Sequence, residues 1–91
     1  MKKISIARVE RVLRAYGNRR RLAILCILKK RKSASVGELA AEMHLSMQAL
    51  SQHVRLLESL ELLERERKGK FVYYRIAPAA PIVPQLMELI Q

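Results

Sequence analysis

Two helix starts stand so close together in this sequence that the chain between them has room for one short helix and a tight turn. Ser35-Val36-Gly37-Glu38 fits a capping box, in which the Ser hydroxyl accepts from the amide three residues on and the Glu carboxylate returns to the Ser amide. The helix it opens runs from Val36 to Met43. His44-Leu45 interrupts it, and Ser46 is a second N-cap that opens a longer helix from Met47 to about Leu60. Leu50, Val54 and Leu57 recur at helical spacing and give that helix one apolar face. Two helices joined by so short a turn form a helix-turn-helix. His44 falls at the turn, where His is among the non-glycine residues that best tolerate a left-handed backbone.

The flanking segments complete an order of elements. Upstream, Val9, Val12, Leu13 and Tyr16 repeat with helical period while Arg8, Arg11 and Arg14 occupy the other faces, so Ser5 to Tyr16 reads as an amphipathic helix ended by Gly17. Asn18 caps a second helix, Arg19 to about Lys32, which Leu22, Ile24, Leu25, Ile27 and Leu28 make apolar on most sides and which is expected to be the most buried. Lys29, Lys30, Arg31 and Lys32 suit the negative end of that helix's dipole; Arg19, Arg20 and Arg21 oppose the positive end and need another reason.

Downstream, Leu62 to Arg67 and Lys70 to Ile76 read as strands joined at Lys68-Gly69, with Arg67 opposite Lys70. This pairing sets Leu63, Val72, Tyr74 and Ile76 on one face, and Glu64, Glu66, Phe71, Tyr73 and Arg75 on the other. Pro78, Pro81 and Pro84 separate the hairpin from a last short helix, about Ile82 to Ile90. The expected architecture is mainly α with a β-hairpin wing, a winged helix-turn-helix of order α-α-α-α-β-β-α forming one domain over residues 1–91.

Two runs, GNRRRLAIL from Gly17 to Leu25 and SVGELAAEMHLSMQALSQHVRLLESLELLERERKGKFVYYRI from Ser35 to Ile76, resemble the ArsR family of bacterial and archaeal repressors. That family's pattern opens G-D-P-T-R-L-x-I-L, has E-L-A before the turn, L-S-x-x-x-x-S-x-H-L in the recognition helix and R-x-G-R-x-x-Y-Y-x-L in the wing. The resemblance covers about two-thirds of the chain in unbroken order. It implies a homodimeric DNA-binding regulator, most simply a repressor that occludes a promoter, dimerised through its first and last helices (residues 1–16 and 82–91).

Charge agrees with a polyanionic partner. The chain has 91 residues and a formal net charge of +10; residues 1–32 carry +11, residues 33–64 carry −4 and residues 65–91 carry +3. Such a surplus attracts nucleic acid or an anionic membrane surface without choosing a sequence. A chain this short buries only roughly 60–65% of its unfolded surface, which favours sharing a core with a partner subunit. Arg8, Glu10, Arg11 and Arg14 lie where a secretory leader needs an apolar run. The uncharged stretch Ile76 to Met87 is short and holds three prolines, and Cys26 is the single cysteine. No membrane span and no internal disulfide are expected, and the expected compartment is the cytoplasm.

With Leu50, Val54 and Leu57 turned inward, Gln48, Ser51, Gln52 and Arg55 form the outward stripe of the second motif helix. Gln pairs bidentately with adenine and Arg with guanine, and Ser meets several base edges, so this stripe carries donors and acceptors suited to the major groove of double-stranded DNA. Ser46 and Met47 begin the same helix, whose free amides also suit a phosphate. Arg67, Lys68 and Lys70 surround the hairpin tip; the resemblance implies that they contact DNA, while Lys and Arg also protect sheet edges. The expected DNA-contacting set is therefore Ser46, Met47, Gln48, Ser51, Gln52, Arg55, Arg67, Lys68 and Lys70.

Metal, cofactor and catalytic readings find little footing. Metal-sensing members of the resembling family carry C-V-C beside the E-L, where this chain has Ser35, Val36 and Gly37; others use Asp and His on the terminal helix, where residues 82–91 offer only Glu88. Without thiolate or imidazole no metal site of either kind is expected, and no cofactor. His44 and His53 lack a second ligand at useful spacing, and His53 matches a His of the family's recognition helix. Cys26, among Leu22, Ile24, Leu25, Ile27 and Leu28, reads as a core residue. No Asp, phosphate loop or nucleophile–base pair is present, so an enzyme is not expected. A non-specific architectural DNA-binding protein and an RNA-binding or protein-interaction module on the same fold remain alternatives.

Overall fold

The computed structural model describes residues 3–90; Met1, Lys2 and Gln91, which end the expected single domain and its two dimerisation segments, lie outside the described residues. The elements are α1 (Ile6–Tyr16), α2 (Arg19–Arg31), β1 (Ala34–Ser35), α3 (Val36–Met43), α4 (Met47–Ser59), β2 (Leu63–Lys68), β3 (Phe71–Ile76) and α5 (Val83–Leu89). Each of the first four helices begins where a short polar side chain takes up a free amide. Ser5 Oγ accepts from Arg8 N, Asn18 Oδ1 from Arg21 N, Ser35 Oγ from Glu38 N and Ser46 Oγ from Ala49 N, all at 3.1 Å. At Ser35 the box closes, since Glu38 Oε1 accepts from Ser35 N at 2.9 Å. His44 takes the left-handed conformation at φ 56 and ends α3.

One core joins the elements. Ile24, Leu25 and Leu28 of α2, Leu39 of α3, Leu50, Val54 and Leu57 of α4, and Leu62 and Leu63 are all fully or almost fully buried. Each such side chain contributes about 1.5–3 kcal/mol of burial free energy. On α1 the inward stripe is Val12, Ala15 and Tyr16, whereas Leu13, one position round the helix, stays 51% exposed. Cys26 is half-buried and packs against the core.

The structure differs from the sequence expectation in three respects. First, a two-residue strand absent from that expectation, β1, pairs with β3 (Ala34 with Tyr74, Ser35 with Tyr73), giving an antiparallel sheet of order β1-β3-β2. Second, the hairpin turns at Gly69-Lys70 rather than Lys68-Gly69: Lys68 pairs with Phe71 and Arg67 with Val72, not Lys70. Of the two turn residues only Gly69 has positive φ (63), which places glycine first in the turn as a type II′ geometry requires. The register therefore moves by two positions in total. Side-chain parity survives that shift, so Leu63 still shares its face with Val72, Tyr74 and Ile76. Third, α5 is shorter than expected, because Ile82 sits at φ 70 as its N-cap and the Pro-bearing first turn starts at Val83.

Long side chains fasten the helices to one another. Tyr16 Oη donates to Pro81 O at 2.6 Å, tying the end of α1 to the segment before α5; burial pushes this phenol up to about 12 against the opposing influence of Arg8. Arg8 donates to the carbonyl of Leu60, and its guanidinium lies 3.9 Å from Glu61. Arg31 bridges α2 to α3 through Glu38 at 2.9 Å and Glu42 at 3.3 Å.

Candidate nucleic-acid interface

The fold presents α4 with its apolar stripe inward and a polar stripe outward. Leu50, Val54 and Leu57 are buried, as the spacing requires, while Gln48, Gln52 and Arg55 are exposed and Ser51 is half-buried. None of these four side chains has a hydrogen-bond or ion-pair partner among the described residues, so their donors and acceptors are unspent. Met47 is 58% exposed at the start of the helix and adds an apolar surface beside them. Ser46 is committed to capping, its hydroxyl taking the Ala49 amide. At the far end of α4, Glu58 lies 3.2 Å from Arg65 of β2, a largely exposed ion pair between the helix and the wing.

At the wing tip the three expected cations are exposed but differently engaged. Arg67 Nε donates to Gly69 O at 3.1 Å, closing the turn. Lys68 Nζ lies 3.5 Å from Glu66 and 5.6 Å from the centre of the Tyr73 ring, and Lys70 lies 5.6 Å from that of Phe71. Phe71, 54% exposed beside the turn, is a surface aromatic whose place at the wing tip alternation alone does not show. Toward the other end of β3, Arg75 pairs with Glu64 at 2.7 Å, so that arginine is occupied.

The Arg19–Arg21 cluster separates into two kinds. Arg21 points across the start of α2, its Nε donating to Ala15 O at 2.7 Å and its Nη2 lying 3.5 Å from Arg14 O. Both acceptors are among the last carbonyls of α1, which have no partner inside their own helix. Its Nη1 faces His53 Nδ1 of α4 at 3.4 Å, a contact that suits the neutral imidazole with its proton on Nε2. Burial first, then the charges of Arg21 and Arg20, hold His53 below the ordinary imidazole range. Arg21 and His53 thus join α1, α2 and α4 behind the outward stripe, a role hidden in the sequence because the partners are remote along the chain. Arg19 and Arg20 are exposed.

Among the described residues, no three His, Cys, Asp or Glu side chains gather as a metal-binding group. No described helix is long and apolar enough to cross a membrane.

A helix-turn-helix family, described as "Helix-turn-helix domain", matches residues 16–66. The transcriptional repressor SdpR of Bacillus subtilis is 31% identical over 65 residues, covering 71% of this chain and 71% of SdpR. A solved winged helix-turn-helix DNA-binding domain from Mycobacterium bovis, described as homodimeric and as a possible ArsR-family regulator, superposes with TM-score 0.79 at 32% identity over 100% of this chain and 87% of that one. The chain belongs to the ArsR-type winged helix-turn-helix regulators. Within that family it is also similar to the transcriptional activator HlyU of Vibrio cholerae, 39% identical over 72% of this chain but only 60% of HlyU's length. The solved HlyU in its reduced form gives TM-score 0.80 at 36% identity, covering 92% of this chain and 85% of that one. The family match runs from the end of α1 into β2, and so includes both the motif helices and Arg21 but not the wing tip.

Proposed function

We propose that this ArsR-type chain is a homodimeric, sequence-specific binder of double-stranded DNA that represses transcription by occupying a promoter. The observation that carries the reading is the outward stripe of α4: Gln48, Ser51, Gln52 and Arg55 are base-reading side chains with no partner among the described residues, on a helix whose apolar face is buried in the core. Met47 supplies apolar contact to a thymine methyl, and Ser46 sits where the helix start meets a phosphate. Arg67, Lys68 and Lys70 add backbone contacts from the wing.

Dimerisation through α1 and α5 is supported by the apolar side chains that these helices leave in solvent. Ile6 is 88% exposed, Leu13 51% and Leu89 81%, with Ile82 and Ile90 beside them. A two-fold dimer sets two α4 helices about 34 Å apart, one turn of duplex. Repression follows because a dimer covering a promoter excludes polymerase, as the name of SdpR also suggests, whereas HlyU is named an activator. The protein acts in the cytoplasm and has no catalytic role in this reading. Competition at fixed salt between a preferred duplex and random duplex tests it. A preference of about 10³-fold or more is expected, and equal affinity would instead favour an architectural DNA-binding protein.

A further inference from the structure

Arg19 and Arg20 stand against the dipole of α2, and the fold gives them no compensation. Both are exposed, and neither enters an ion pair or side-chain hydrogen bond among the described residues. Arg21, by contrast, is explained by the α1 carbonyls that it holds. The same contact fixes where its two neighbours lie: Arg21 reaches His53, and His53 is adjacent in α4 to the exposed Gln52. The start of α2 therefore lies beside α4, close enough that the charge of Arg20 also acts on His53. Where the ArsR pattern reads Pro-Thr, this chain has Arg19-Arg20, so the two cations belong to this chain and not to the fold. We infer that Arg19 and Arg20 grip backbone phosphates of duplex DNA beside the groove that α4 enters, a third contact region in addition to α4 and the wing. Guanidinium is suited to this, since its planar fork meets phosphate oxygens two at a time.

The inference rests on the duplex-DNA reading of α4, and the test separates the two. Affinity for a fixed duplex is measured across a salt series for the full chain, for an Arg19→Ala/Arg20→Ala variant, and for Lys29→Ala/Lys30→Ala, which removes the same charge from the far end of α2. Two lost phosphate contacts lower the slope of log affinity against log salt by about 1.8. The affinity defect of the arginine variant is then about 12-fold larger at about 50 mM salt than at about 200 mM. The lysine variant is expected to keep the slope of the full chain, and the arginine variant to melt at or above its temperature. An unchanged slope in the arginine variant, or an equal loss in the lysine variant, overturns the contact. If the full chain fails to bind duplex at all, the reading of α4 falls and the contact with it.

Discussion

Replacing Arg21 by Ala removes a polar side chain that links the end of α1 and the start of α2 to His53 of α4. The hydrogen bond to Ala15 O at 2.7 Å is donated by a charged group at a part-buried site. Such bonds are worth about 1.5–3 kcal/mol, and partial access of water reduces this to about 2 kcal/mol here. Against it stands the relief of taking a cation from the positive end of the α2 dipole, about 0.3–1 kcal/mol. The balance is a destabilisation of about 1 kcal/mol, or a fall in Tm of about 4–8 °C for a domain this size. Thermal denaturation followed by circular dichroism, at one protein concentration because dimerisation shifts apparent stability, measures it. Arg20→Ala is the matched comparison. It loses no hydrogen bond, only unfavourable interactions with the α2 dipole and with protonated His53, and is expected at or above the wild-type Tm. An Arg21→Ala protein as stable as Arg20→Ala would refute the assignment of Arg21 as the link between the helices.

His53 gives the chain a pH dependence whose sign follows from its lowered pKa. The unfolded imidazole takes up its proton near pH 6.5 and the folded one only lower down, so this contribution to stability is complete above that pH and is lost as pH falls through the folded value. His53→Gln is expected to flatten the dependence; an unchanged profile would exclude His53 as its source. Ser35→Ala opens the capping box and is expected to cost about 1 kcal/mol by urea denaturation. Glu38, held below the ordinary carboxylate range chiefly by the Ser35 amide, adds a further loss as pH falls through its folded pKa, which Ser35→Ala should leave largely in place because that amide remains. Replacing Arg67, Lys68 and Lys70 by Ala is expected to weaken binding to all duplexes and to reduce the salt slope, as measured by fluorescence anisotropy.

The parts of this fold that were legible in the sequence are those fixed by local chemistry. The bounds of α3 and the start of α4 follow from Ser35, Glu38 and Ser46, whose partners lie three residues away, and the left-handed turn follows from His44. The faces of the hairpin followed from alternation, although the turn itself lay one residue further on, since a glycine of positive φ serves either central position of a tight turn. Tertiary contact decides the rest. β1 is too short to show a period and exists because Ala34 and Ser35 meet Tyr74 and Tyr73 across the sheet. Leu13 fits the helical repeat of α1 as well as Val12 does, yet only Val12 reaches the core. Of three consecutive arginines, the sequence could show that they oppose a dipole but not that Arg21 alone caps α1.

The central claim is that the outward stripe of α4 chooses the DNA sequence, and selection of bound duplexes from a random library tests it most directly. The wild-type chain is expected to yield a pseudo-palindrome whose half-sites lie about 10 base pairs apart. A Gln52→Ala/Arg55→Ala variant that keeps the wing and α2 intact is expected to bind with relaxed preference at the positions those residues read. No consensus from the wild type, or the same consensus from the variant, would contradict it.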